Sequence, residues 1–194
     1  MKFSLFVVVL IAVISGITSL MAHAENKNTS IGAAVFNSQG ELVLPQDFQH
    51  WVFIGAPLTP NGLNNGQAAF PEFHHVYINP DAYAVYERTG MFPEGTVIAK
   101  ELVSLQKGDH PDGSKNGISG RGYFAGELNG MDVMVKDTSR FKDTNGWGFF
   151  NFGHHAPPYE KTAPAAPKAS CAGCHQANAD KDMVFTGMYP ILRD

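Results

Sequence analysis

The chain predicts a mainly β protein of the α+β class, an antiparallel β-sheet with a few short helices, on three observations. Apolar residues beyond position 25 alternate or fall in short runs, the pattern of half-buried strands. Turn formers bound those runs, among them Asn61-Gly62, Asn65-Gly66, Asp112-Gly113, Asn116-Gly117, Asn129-Gly130 and Asn145-Gly146. Helical periodicity is confined to a few short stretches. Taken in order, residues 1–24 open with the basic Met1-Lys2, continue through an apolar run over 5–14, and end in Ala22-His23-Ala24. That is the make-up of a secretory signal peptide with a small-residue cleavage site; a retained membrane anchor is the alternative, disfavoured because the apolar core is short for a bilayer span. Residues 25–194 are enough for a single domain with its own core.

Strands are predicted over 51–54 and 73–78, then a helix over 80–88 with Asn79 as its N-cap and Gly90 at its end. A strand over 96–105 follows. Residues 106–121 are polar and Gly-rich and read as a loop. Runs over 122–128 and 131–135 flank Asn129-Gly130, which predicts a hairpin because Asn-Gly tolerates the positive φ of a type I′ turn. A short helix is expected over 137–141 and a strand over 147–152. Residues 156–169, APPYEKTAPAAPKA, read as an extended connector, leading into a last helix that carries the motif discussed next. No internal repeat is visible.

That motif is Cys171-Ala172-Gly173-Cys174-His175. C-x-x-C-H attaches a c-type haem: the two thiols add across the haem vinyl groups and the histidine offers an imidazole to the iron. A disulfide or half of a zinc site is the bland alternative, but zinc needs about four ligands and there is no second cysteine pair. The net charge of −4, with 16% charged residues, gives no basic surface for nucleic acid, and no later segment is apolar and long enough to span a membrane. With His175 as proximal ligand, the opposite face of the iron decides the chemistry. A methionine there makes an electron carrier, for which Met183 and Met188 are within reach of the chain, although both also suit core packing.

Lys100 lies in the strand over 96–105, where Ile98, Lys100 and Leu102 share one face while Val97, Ala99, Glu101 and Val103 share the other. Each face carries one charged residue, so parity does not choose between a solvated lysine and a buried one facing the haem with a nucleophilic amine.

The segments GELVLPQDFQHWVFIG, VYINPDAYAVYERTG, GTVIAKELVS, GYFAGEL, MVKDTSRF, NGWGFFNF and CAGCHQANADKDMVFTGMYPILRD, in this order, resemble the cytochrome P-460 family, which is related to the β-type cytochromes c-prime. The likeness runs over residues 31–193. It implies a β-rich homodimer with one five-coordinate haem c per subunit, and in the P-460 branch a lysine joined covalently to the macrocycle; that lysine falls on Lys100. The β-type cytochromes c-prime lack the cross-link and have apolar pockets lined by phenylalanine. The resemblance implies a periplasmic oxidoreductase that oxidises hydroxylamine to nitric oxide or nitrous oxide and passes electrons to another periplasmic cytochrome. The alternatives are a non-catalytic nitric-oxide-binding or detoxifying cytochrome of the c-prime type, and the Met-ligated electron carrier. No nucleic acid and, after signal cleavage, no membrane is expected as a partner.

Two departures stand out. The family places a proton-relaying carboxylate in the connector, where this chain has Ala166, with Glu160 the nearest connector acid; and it places an arginine at or near His74. On a strand His74 shares a face with Val76 and Ile78, which makes it a candidate pocket base, the alternative being a structural histidine. Phe70 and Phe73 are candidates for the apolar distal wall, or for plain core.

Overall fold

Strand alternation resolves, in a computed structural model that describes residues 31–193, into a central five-stranded antiparallel sheet. The signal-peptide reading of residues 1–24 lies outside the described residues. In chain order the strands are β1 (Leu42–Val43), β2 (Val52–Gly55), β3 (Phe73–Ile78), β4 (Val97–Leu105), β5 (Lys115–Gly117), β6 (Gly120–Gly122), β7 (Ala125–Lys136), β8 (Trp147–Asn151) and β9 (Thr162–Ala163). Two α-helices join them, α1 (Pro80–Thr89) between β3 and β4, and α2 (Cys171–Asn178) after β9. The central sheet has the order β2-β3-β4-β7-β8; β1 pairs with β9, and β5 with β6.

The antiparallel register lines up one residue from each strand in rows. Val76, Lys100, Asp132 and Asn151 form one row, and Ile78, Ile98, Met134 and Phe149 the next. On the reverse face Tyr77, Ala99, Val133 and Phe150 form the matching row. Each face buries its own core. The first packs Ile54, Val76, Ile78, Ile98, Met134 and Phe149 against Ala82 and Tyr86 of α1, Ala172 of α2 and the C-terminal Met183, Val184, Tyr189 and Leu192. The second packs Val97, Ala99, Val133, Phe150 and Phe152 under Leu42, Phe48, Trp51 and Ala163. Each fully buried Val, Leu, Ile or Phe among them contributes about 1.5–3 kcal/mol, so the two-sided sheet is the main stabilising unit.

Helix α1 begins with Pro80, whose missing N–H costs nothing in the first turn, and ends at Gly90, at φ 66°, whose N–H donates to the Tyr86 carbonyl at 2.7 Å. Asn79 stands at the N-cap position, but its side chain makes no cap bond. It stitches α1 to β4 instead: Nδ2 donates to the Gly95 carbonyl (3.2 Å) and the Val97 N–H donates to Oδ1 (2.8 Å).

Three expectations are corrected. Asn129-Gly130 is not a hairpin turn. It lies inside the continuous strand β7, with Gly130 paired opposite Leu102 and register shifts around Val103, because β4 offers the whole of β7 a partner. A Cβ at Gly130 would stand 3.0 Å from Leu102 Cδ1 and 3.1 Å from His154 Cδ2, so glycine serves close packing here rather than a turn. The segment 106–121 contains most of the β5–β6 hairpin, held by Arg121 and Ser114 on Asp112. Residues 137–141 form no α-helix. The Asp137 carboxylate accepts the Ser139 and Arg140 N–H groups (3.1 and 2.9 Å) and leads into a 3-10 turn at Lys142–Thr144, as aspartate commonly does in turns.

Candidate functional site

Helix α2 has two faces. Ala172 is buried in the core, while Cys171 and Cys174, one turn apart, are exposed and carry free thiols. His175 is partly buried, its ring between those of Phe149 (4.7 Å between centroids) and Phe185 (4.8 Å). Its Nδ1–H donates to the Met183 carbonyl at 2.7 Å. Burial lowers the pKa of His175, partly offset by that hydrogen bond, so the ring is held neutral with Nε2 as its bare acceptor. A metal-ligating histidine needs this arrangement: one nitrogen fixed by a carbonyl, the other free to bind.

The carbonyl is aimed by an unusual turn. Asp182 and Met183 both sit at positive φ (46° and 65°), between Lys181 and Val184, whose main chains bond each other in both directions (3.2 and 2.8 Å). Two successive positive φ values characterise type I′ turns. Non-glycine residues hold them only when the surroundings insist, and here Lys136 and the Trp147 indole N–H both bind the Asp182 carboxylate. The Met183 side chain is buried in the first core and accepts a weak bond from Asn145 (3.6 Å). Met183 therefore lies on the His175 side as core and as backbone acceptor, and Met188 is half exposed.

Lys100 projects from β4 on the same sheet face as Ile98, the face that packs against α2. Its Nζ is 2.9 Å from Asp132 Oδ2 on the neighbouring strand and 4.3 Å from the centroid of the Phe70 ring, a cation–π contact. Asp132 also accepts from Asn151 Nδ2 (2.7 Å) and faces His154 Nε2, 3.3 Å from both its oxygens. Burial by itself would raise the Asp132 pKa; Lys100, Asn151 and His154 outweigh it and hold the carboxyl below its ordinary value.

His74 adjoins this group. Its ring meets Phe70 edge-on, with centroids 5.7 Å apart, and Phe70 meets His154 in the same way at 6.0 Å. The ring hydrogen-bonds the Phe70 backbone, while Nε2 is buried with no hydrogen-bond partner among the described residues. Burial, reinforced by the Lys100 charge, lowers the His74 pKa to about 4, so the imidazole is uncharged at neutral pH. Phe73 does not join the group. It sits on the opposite face of β3 with His75, centroids 6.2 Å apart, and Phe53 contacts that histidine as well. Ala166 packs against the first core, and its N–H donates to the Phe149 carbonyl at 2.7 Å; no acid stands there.

These residues fit a haem c: two exposed thiols on one helix face, a neutral histidine oriented through Nδ1, and an unsatisfied imidazole and an amine on the sheet face that packs against that helix. Zinc is not supported, since among the described residues no three or more His, Cys, Asp and Glu are grouped to hold a metal ion. The cytochrome P460 family model matches residues 45–186. The chain belongs to the cytochrome P460 family. No curated protein matches the chain. As a P460 cytochrome it carries a covalently bound haem c, for which Cys171 and Cys174 would supply the thioethers and His175 the iron ligand. Asp132, Asn151 and His154 did not emerge as site residues from sequence. The available signal was a carboxylate in the otherwise apolar run over 131–135, but only the β4–β7 register shows that it stands beside Lys100.

Proposed function

We propose that this P460 cytochrome oxidises hydroxylamine at a haem joined to Lys100 as well as to Cys171 and Cys174, releasing nitric oxide or nitrous oxide. The observation that carries the reading is the polar group Lys100, Asp132 and His74 on the sheet face that packs against the haem helix, which offers proton acceptors that binding a gas does not call for. Oxidising an amine nitrogen releases protons as well as electrons, so the site needs acceptors. The haem supplies the redox chemistry; the chain supplies binding, orientation and proton uptake. His175 fixes the proximal side through its bond to Met183. Uncharged His74, with Nε2 open, takes a substrate proton, and ionised Asp132 stands next in line, with His154 behind it. Phe70 lies over Lys100 Nζ, its ring centroid 4.3 Å away. We place the protein in the periplasm after removal of residues 1–24, as a homodimer delivering electrons to another cytochrome.

The second reading, a nitric-oxide-binding protein without turnover, draws on Ala166, which leaves the connector without an acid, and on the low pKa of His74, which makes it a weak base. Steady-state hydroxylamine oxidation by purified wild-type and His74→Ala holoproteins tests the choice. We expect kcat/KM to fall by about 10²-fold, the lower end for loss of a general base. Equal rates in the two proteins would remove His74 from the chemistry, and no turnover in either would favour the gas-binding reading.

A further inference from the structure

We propose that Asp132 is the positioning residue for Lys100: it sets where the amine points when the amine bonds to the haem. The inference rests on the cross-linked reading above.

A free lysine carries its amine on a flexible four-carbon stem, so reaction at one place requires that something hold it. Asp132 lies directly across the β4–β7 ladder from Lys100, where the sheet fixes side-chain origins to within hydrogen-bond reach. The carboxylate is itself immobilised, by Asn151 at 2.7 Å on Oδ1 and by His154 at 3.3 Å from both oxygens. That leaves Oδ2 to anchor Lys100 Nζ at 2.9 Å. The Phe70 ring covers a second side, its centroid 4.3 Å from Nζ. The amine is thus confined between a fixed carboxylate and an aromatic face, on the sheet face that carries the haem helix.

As an ammonium, Nζ has no lone pair to form a bond. Loss of a proton to solvent, to which the Lys100 side chain is 23% exposed, creates one. The bond formed joins Nζ to a carbon of the macrocycle; one N–H and one C–H bond break. The two electrons released go to a peroxide, which leaves with the two protons as two waters.

The test measures cross-linking, not turnover. Wild-type, Asp132→Asn and Asp132→Glu holoproteins are exposed to equimolar hydrogen peroxide and digested. Mass spectrometry then gives the fraction of the Lys100 peptide joined to the Cys171–Cys174 haem peptide. We expect the joined fraction to fall roughly tenfold or more in Asp132→Asn, as misplacement of a reacting group does, and to recover in part in Asp132→Glu, with both thioethers intact throughout. If Asp132→Asn fails to fold, Asn151→Ala, which loosens the anchor without touching Lys100, is expected to lower the joined fraction in its place. Cross-linking of Asp132→Asn, or in that case Asn151→Ala, at the wild-type level overturns the inference alone. A wild-type protein with no joined peptide overturns the cross-linked reading and this inference with it.

Discussion

His74 shows how one buried group couples chemistry to stability. Its folded pKa of about 4 lies below the ordinary 6.5, so between those values the unfolded chain binds a proton that the folded chain refuses. The stability associated with the neutral ring is complete above pH 6.5 and is lost as pH falls toward about 4. The melting temperature of the holoprotein is therefore expected to decline across that window, and His74→Gln to flatten the decline; parallel curves for the two proteins would contradict the assigned burial. Lys100 and Glu101 make the complementary point at adjacent positions. Glu101, on the reverse face, is 4% exposed, and burial raises its pKa, only partly relieved by Gln49. Each face of β4 thus carries a charged residue, Glu101 buried and Lys100 half-buried, which is why alternation did not tell which way Lys100 pointed. Its partner Asp132, more than 30 positions away along the chain, became visible only once strands were paired.

At the scale of elements, the positions of most strands, of α1 and of the haem helix were legible from period and punctuation, because those signals are local. What misled was also local. Asn-Gly marks a turn when its flanks pair with each other, but here both flanks of Asn129-Gly130 pair with β4, and tertiary pairing overrides turn preference. The Lys181–Val184 turn shows the converse, since neither Asp182 nor Met183 advertises a positive φ. Its stability comes from Lys136 and Trp147 gripping Asp182, and its product is the carbonyl that orients His175. Replacing Asp182 by alanine should slacken that carbonyl, weaken the Nδ1–H bond and make the imidazole a poorer electron donor to iron. A redox titration is expected to show a higher haem reduction potential in Asp182→Ala than in the wild type. An unchanged potential would mean that the turn stands without Asp182.

As a whole, the molecule is a sheet with two unlike sides. The reverse side is closed by β1, β9 and the aromatic residues Phe48 and Trp51. The other side carries both the apolar row that seats α2 and, one register step away, the row containing Lys100, Asp132 and Asn151. A rigid sheet can in this way hold Lys100 and Asp132 in fixed relation to the helix that carries His175, as a site built on loops would not. The most direct measurement is anaerobic incubation of the holoprotein with hydroxylamine and a one-electron acceptor, following acceptor reduction and the nitrogen products together. Repeated turnover is expected, with nitric oxide or nitrous oxide formed in proportion to the electrons collected. Hydroxylamine binding without acceptor reduction, from a haem that still binds nitric oxide, would contradict it.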